Sequence, residues 1–216
     1  MPVLLDKNNL DFPPLRYADE DGLLAVGGDL SVPRLLNAYR NGIFPWYGEK
    51  LPILWYCPDP RFVLFPQKLH VSRSMEKVFR RGTFEIKFNT AFDEVIAHCA
   101  QVERPGQDGT WIIPEMVDAY KALHRLGHAH SAEAWREGKL VGGVYGVRLG
   151  RIFFGESMFS LEPNASKAAF ITYVRQLERE GGALVDCQMK TPHLESLGGE
   201  FISLRNFLKI VQANAQ

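Results

Sequence analysis

Three strand-like runs, His130 to Arg136, Lys139 to Arg148 and Arg151 to Ser160, are joined only by the dipeptides Glu137-Gly138 and Leu149-Gly150. Connections this short suit tight hairpins, so the three runs pair as an antiparallel meander. A helix from about Ala165 to Glu180 follows, ended by Gly181-Gly182, and a strand from Ala183 to Met189 comes directly after it. Upstream of the meander lie a strand at Arg61 to Phe65, a basic helix at Ser72 to Arg81 and a strand at Phe84 to Asn89. Two amphipathic helices, Ala91 to Gln101 and Pro114 to Leu126, flank the polar loop Arg104-Pro105-Gly106-Gln107-Asp108-Gly109. The tail adds a helix at Pro192 to Leu197, a strand at Glu200 to Leu204 and a helix from Arg205 to about Val211. This order predicts an α+β fold with a mixed, mostly antiparallel sheet.

The first sixty or so residues read differently. They are rich in turns and aromatics, with Phe12-Pro13-Pro14, Gly27-Gly28-Asp29, Phe44-Pro45-Trp46-Tyr47 and Trp55-Tyr56-Cys57-Pro58. Regular structure is expected to be limited there. One short helix starts at Ser31-Val32-Pro33, with Ser as cap and Pro in the first turn, and runs through Arg40 until Gly42 stops it. The boundary falls near Pro60-Arg61, giving a small N-terminal domain over 1–60 and a larger domain over 61–216.

The 216 residues supply ample apolar material for a core without staples. Three widely spaced cysteines, Cys57, Cys99 and Cys187, argue against a disulfide framework and for a reducing compartment. No CxxC pair exists to hold zinc, no metal or other cofactor is expected, and no stretch reaches the ~18 apolar residues a membrane span needs. A cytoplasmic monomer is the simplest expectation. Lys and Arg total 25, as do Asp and Glu, so any polyanion has to be gripped by a local patch and not by the global field.

Three polar side chains interrupt strands that should hold Val, Ile or Phe: Glu156 in the third meander strand, and Asp186 and Gln188 in Ala183 to Met189. A carboxylate in a strand interior loses hydration unless it gains partners, so such positions suggest a working site held against fold stability. Strand alternation directs Asp186 and Gln188 to one face and Val185, Cys187 and Met189 to the other. Gln188 does not titrate near neutrality, but its carbonyl can accept from an incoming amine, with Asp186 accepting from its amide NH2. Cys187, with His193 nearby in sequence, offers a thiol nucleophile as a weaker alternative. His128 and His130 share a strand face, without a convincing third metal ligand.

The element order resembles the GNAT acyltransferase fold. Several segments together resemble a narrower family: Gly22-Leu23-Leu24-Ala25-Val26-Gly27-Gly28-Asp29-Leu30, Gly42-Ile43-Phe44-Pro45-Trp46, Pro58-Asp59-Pro60-Arg61, Gly109-Thr110-Trp111-Ile112, Gly127-His128-Ala129-His130-Ser131, Leu140-Val141-Gly142-Gly143-Val144-Tyr145-Gly146-Val147, Gly155-Glu156-Ser157-Met158-Phe159-Ser160 and Asp186-Cys187-Gln188. In order and spacing the chain resembles the bacterial leucyl/phenylalanyl-tRNA–protein transferases over nearly its whole length. The resemblance implies transfer of Leu or Phe, and less readily Met, from aminoacyl-tRNA to the α-amine of proteins beginning with Arg or Lys, which creates an N-degron for proteolysis. It assigns Asp186 and Gln188 to catalysis and Glu156 to acceptor binding. It also implies an apolar pocket for the donor side chain, with Val144, Phe153, Met158, Phe159, Tyr173 and Val185 as candidates. Trp46 and Trp111 are the implied platform for the terminal adenosine, and Arg73, Lys77, Arg80 and Arg81 of the basic helix suit phosphates of the tRNA backbone. Val144 is smaller than the Met expected in some relatives, which leaves the preference between Leu and Phe open.

Rival readings are a tRNA-dependent cell-wall aminoacyltransferase, an acetyl-CoA-dependent N-acetyltransferase and a non-enzymatic degron-binding adaptor. Pyrophosphate binding by an N-acetyltransferase normally uses a Gly-rich turn ahead of a helix. The corresponding stretch Leu161-Glu162-Pro163-Asn164-Ala165-Ser166 has no glycine and carries a proline, which disfavours CoA.

Overall fold

The computed structural model describes residues 2–102 and 110–215; the polar loop expected at Arg104 to Gly109 lies outside the described residues. In the N-terminal part, β1 (Val3–Leu5), β2 (Leu23–Gly27), β3 (Phe44–Pro45) and β4 (Leu54–Tyr56) form a sheet in the order β1-β2-β4-β3. This corrects the expectation of limited regular structure. The strands are two to five residues long and pair across intervening segments, so neither alternation nor a hairpin turn announces them. Helix α1 (Val32–Arg40) connects β2 to β3, with Pro33 in its first turn. Ser31 stands at the cap position without a side-chain capping bond; its own N–H donates to Asp29 Oδ1 at 2.8 Å.

The remaining strands build a seven-stranded sheet. They are β5 (Arg61–Leu64), β6 (Glu85–Phe88), β7 (Ala129–Arg136), β8 (Lys139–Leu149), β9 (Ile152–Ser160), β10 (Leu184–Gln188) and β11 (Glu200–Ile202), in the order β11-β5-β10-β9-β8-β7-β6. β7, β8 and β9 form the meander, and each of the sheet's pairings is antiparallel except β9 with β10. That single parallel pair follows from chemistry on the chain: between the two strands runs α5 (Ala165–Arg179), a helix long enough to carry the chain back across the sheet. The fold is therefore α+β with a mixed sheet.

Side-chain alternation feeds two cores, one on each face. Ile152, Phe154 and Leu184 join the cluster that includes Trp55, α1, and the helices α3 (Phe92–Gln101) and α4 (Pro114–Arg125). Phe153, Val185 and Val144 join the other, beneath α5 and the basic helix α2 (Arg73–Arg80). Ser72 caps α2, accepting from the Met75 N–H at 3.3 Å. The chain ends in α6 (Pro192–Ser196) and α7 (Leu204–Asn214). Two glycines of β8 permit close approach: a Cβ at Gly142 would stand 2.6 Å from that of Ala165, and one at Gly146 would stand 2.1 Å from the Phe154 carbonyl oxygen.

Candidate active site

β9 and β10 run together only as far as the Asp186–Phe154 pair. Each also carries a register shift at this level. Opposite β8 the extra residue is Glu156, between Gly155 and Ser157, and opposite β5 it is Cys187, between Asp186 and Gln188. Such bulges re-aim side chains and end pairing; Gln188 takes the left-handed conformation with φ 62°. Beyond the last pair β9 and β10 no longer bond to each other, while β9 stays paired with β8 through Ser160. Residues 155–158 and 187–189 line a cavity of about 420 Å³, to which Asp186 also contributes.

Glu156 is held from three sides. Tyr39 of α1 donates to its Oε1 at 2.8 Å, Tyr120 of α4 donates to its Oε2 at 3.1 Å, and the Gln188 amide donates to Oε1 at 3.1 Å. The two phenol oxygens also touch each other. Burial, with Asp186 nearby, pushes the Glu156 carboxyl from 4.5 up to about 7, against the pull of its three donors. The phenols, fully buried and facing Glu156, are pushed well above their usual range.

Asp186 is engaged differently. It is fully buried and grips the equally buried Arg61: Nε donates to Oδ1 and Nη2 to Oδ2, both at 2.8 Å. Burial works against the Arg61 charge, but Asp186 outweighs it and raises the guanidinium further. Arg61 is also flanked by the rings of Phe44 and Phe207, each 4.7 Å from its Cζ, and donates to the Gly42 carbonyl at 3.0 Å. The expected bond from the Gln188 amide to Asp186 is replaced. Asp186 Oδ1 accepts the Gln188 backbone N–H at 2.9 Å, and the amide turns to Glu156. The left-handed backbone at Gln188 is the reason.

The cavity gathers residues far apart in sequence. Trp46 from the end of β3 and Trp111 from the segment before α4 both line it, with Val144, Met158 and Val185 supplying apolar wall. Phe153, Phe159 and Tyr173, grouped with them from sequence, do not line it. Phe153 and Tyr173 pack against each other behind the wall, ring centroids 4.2 Å apart. Phe159 belongs to the opposite core, stacked on His98. Adjacent residues on a strand face opposite ways, so Met158 and Phe159 cannot share one pocket. Arg73, Lys77, Arg80 and Arg81 are all exposed and form no salt bridge with other described residues.

The Cys187 thiol packs with the α5-side core and is held protonated, raised far above its usual value by burial and by Asp186, which leaves it a poor nucleophile. His130 bonds Asn89 and the Gly127 carbonyl. Among the described residues no group of three or more His, Cys, Asp or Glu is placed to hold a metal. Sequence reading missed Arg61, Tyr39 and Tyr120. Only Arg61 left a trace, a charge opening the apolar run Phe62-Val63-Leu64-Phe65. His193 lines the cavity with both ring nitrogens buried and unpartnered, and burial lowers it below the usual imidazole range.

A family profile described as leucyl/phenylalanyl-tRNA protein transferase matches residues 63–212, and one for the N-terminal domain of the same transferase matches residues 28–59. A Syntrophobacter fumaroxidans protein named leucyl/phenylalanyl-tRNA–protein transferase is 56% identical over 99% of this chain and 92% of its own length. Proteins of the same name from Myxococcus xanthus and Pseudomonas fluorescens are each 56% identical over 96% of this chain, covering 90% and 92% of theirs. A GCN5-related N-acetyltransferase from Kribbella flavida aligns at 10% identity over 75% of this chain and 57% of its own, with a TM-score of 0.40, too slight a likeness to carry an argument. Identity of this extent, together with the matched profiles, makes the chain a member of the leucyl/phenylalanyl-tRNA–protein transferase family.

Proposed function

We propose that this aminoacyltransferase moves Leu or Phe, and less readily Met, from aminoacyl-tRNA to the α-amine of proteins beginning with Arg or Lys, and that the product is an N-degron. The observation that carries this is a single cavity combining an apolar wall, two tryptophans and the Glu156–Gln188 pair. The aminoacyl ester is already activated, so the reaction needs placement more than driving force. Holding amine and carbonyl in attack geometry supplies ~7–11 kcal/mol of barrier reduction. In this reading Val144, Met158 and Val185 receive the donor side chain, whose shape an apolar pocket resolves at ~1–3 kcal/mol per methylene. Trp46 and Trp111 stack on the terminal adenine. Glu156 attracts the cationic acceptor terminus, the Gln188 carbonyl accepts from the incoming amine, and Asp186 fixes the Gln188 backbone. Arg73, Lys77, Arg80 and Arg81 present an unpaired basic face to the tRNA acceptor stem.

Residues 1–60 and 61–216 act as two domains of a cytoplasmic monomer in this reading, with the adenosine platform drawn from both. Among the described residues no helix is long and apolar enough to cross a membrane. The test incubates the protein with radiolabelled Leu-tRNA and polypeptides starting with Arg, Lys or Ala, with peptidoglycan precursors and acetyl-CoA as competing acceptor and donor. Label on the Arg and Lys polypeptides alone is expected. Label on the precursors, or none on Arg and Lys termini, sinks the proposal.

A further inference from the structure

Tyr39, Tyr120 and Glu156 close a ring of oxygen contacts behind the cavity wall. Tyr39 and Tyr120 each reach one oxygen of the carboxyl, and their hydroxyls reach each other. Three contacts need three protons, whereas two phenols carry two. With both phenols donating to a carboxylate, the contact between the hydroxyls has no hydrogen. A third proton on Glu156 satisfies all three: the carboxyl donates to one phenol, that phenol to the other, and the second back to the carboxyl. Losing that proton still leaves the anion three donors, the two phenols and the Gln188 amide. The ring thus accommodates both forms of one group at the edge of a cavity.

Asp186 and Gln188, the polar neighbours of Glu156 on the sheet, are poorly placed to take a proton. Both Asp186 oxygens accept from Arg61, and one also accepts from the Gln188 backbone. An amide such as Gln188 does not titrate near neutrality. We infer that Glu156 is the catalytic base of the aminoacyl transfer, taking a proton from the acceptor ammonium into a ring with Tyr39 and Tyr120, which are positioning residues. This rests on the transferase reading above and adds to the acceptor-binding role given to Glu156 there.

The step balances. The acceptor ammonium gives one proton to the Glu156 carboxylate, and the free amine forms a C–N bond at the ester carbonyl, sending an electron pair to the carbonyl oxygen. When the adduct collapses, the ester C–O bond breaks, the ribose oxygen leaves, and the second nitrogen proton passes to it. An amide, a ribose hydroxyl and a proton held by Glu156 result; that proton then leaves to solvent. A carboxyl near 7 is matched to an α-amine near 8 within a roughly tenfold equilibrium. The titratable and charged groups around it are Tyr39 from α1, Tyr120 from α4 with Tyr145 of β8 beside it, Asp186 from β10, and Arg61 from β5, already paired.

The experiment follows kcat against pH at saturating Leu-tRNA and Arg-terminated peptide for wild type, Glu156→Gln, Tyr120→Phe and His193→Gln. Infrared difference spectra of resting wild type minus Glu156→Gln are recorded on either side of about pH 7. Wild-type kcat is expected to rise through that region. Glu156→Gln loses the limb and roughly a hundredfold or more in kcat. Tyr120→Phe, one anion donor short, shifts the limb to higher pH, and His193→Gln keeps it. The protonated-carboxyl band should appear on the acid side only. Three outcomes would each overturn the inference: a Glu156→Gln enzyme altered in acceptor KM alone, a limb that vanishes with His193, or no carboxyl band. Absence of any transfer by wild type defeats the transferase reading instead, and the infrared band still decides the protonation of Glu156.

Discussion

Asp186→Asn exposes how far one buried carboxylate holds the fold. Asp186 accepts three N–H groups without contact to water, two from Arg61 at 2.8 Å and one from the Gln188 backbone at 2.9 Å. Asparagine keeps one acceptor oxygen but turns an NH2 toward a guanidinium that is itself fully buried. Removing one partner of such a pair costs ~3–5 kcal/mol, because the other charge is left uncompensated. For a chain of this size each kcal/mol moves the melting temperature by ~2–4 °C, so a drop of roughly 10 °C is expected. Urea denaturation of wild type, Asp186→Asn and the double variant Arg61→Met/Asp186→Leu measures the effect. The double variant removes both charges and should lie within ~2 kcal/mol of wild type. Both variants lose turnover, since neither fixes Gln188 through Asp186. An Asp186→Asn protein within ~1 kcal/mol of wild type, or a double variant as damaged as the sum of its parts, refutes the reasoning.

Glu156→Gln should stabilise the protein in alkaline solution. Folding raises this carboxyl from 4.5 to about 7, so the folded state binds more protons and wild-type stability falls as pH rises between those values. At about 1.4 kcal/mol per pH unit the loss is about 3 kcal/mol above neutrality. Denaturation midpoints should favour the variant there and converge below about pH 4.5; a gap that does not change with pH contradicts the account. Gly146→Ala drives a Cβ to within 2.1 Å of the Phe154 oxygen and 2.6 Å of the Phe153 ring, forcing β8 and β9 apart beside the Glu156 bulge. A loss of about 3 kcal/mol is expected from chemical denaturation, and unchanged stability shows that the strands yield more easily than their geometry indicates.

The meander was legible because two-residue turns leave its strands no other partners, and α5 because fifteen residues of helical pattern end at a glycine pair. Glu156, Asp186 and Gln188 stood out because each breaks an apolar run. The four-stranded N-terminal sheet was not legible, since its short strands find partners across loops. Strand alternation alone separates Met158 from Phe159; which of the two faces the cavity was not legible, because that depends on the assembled sheet.

By itself the sequence settled the order of elements from Arg61 onward and the family, and it marked three polar residues that interrupt apolar strands. These are properties of local periodicity, turn length and residue type, which a linear chain displays. Tertiary structure alone decided what those polar groups touch: Arg61 reaches Asp186 across 125 residues, and Tyr39 reaches Glu156 across 117. A buried group's charge and protonation depend on the neighbours that replace its water, and packing chooses those neighbours only once the sheet is assembled.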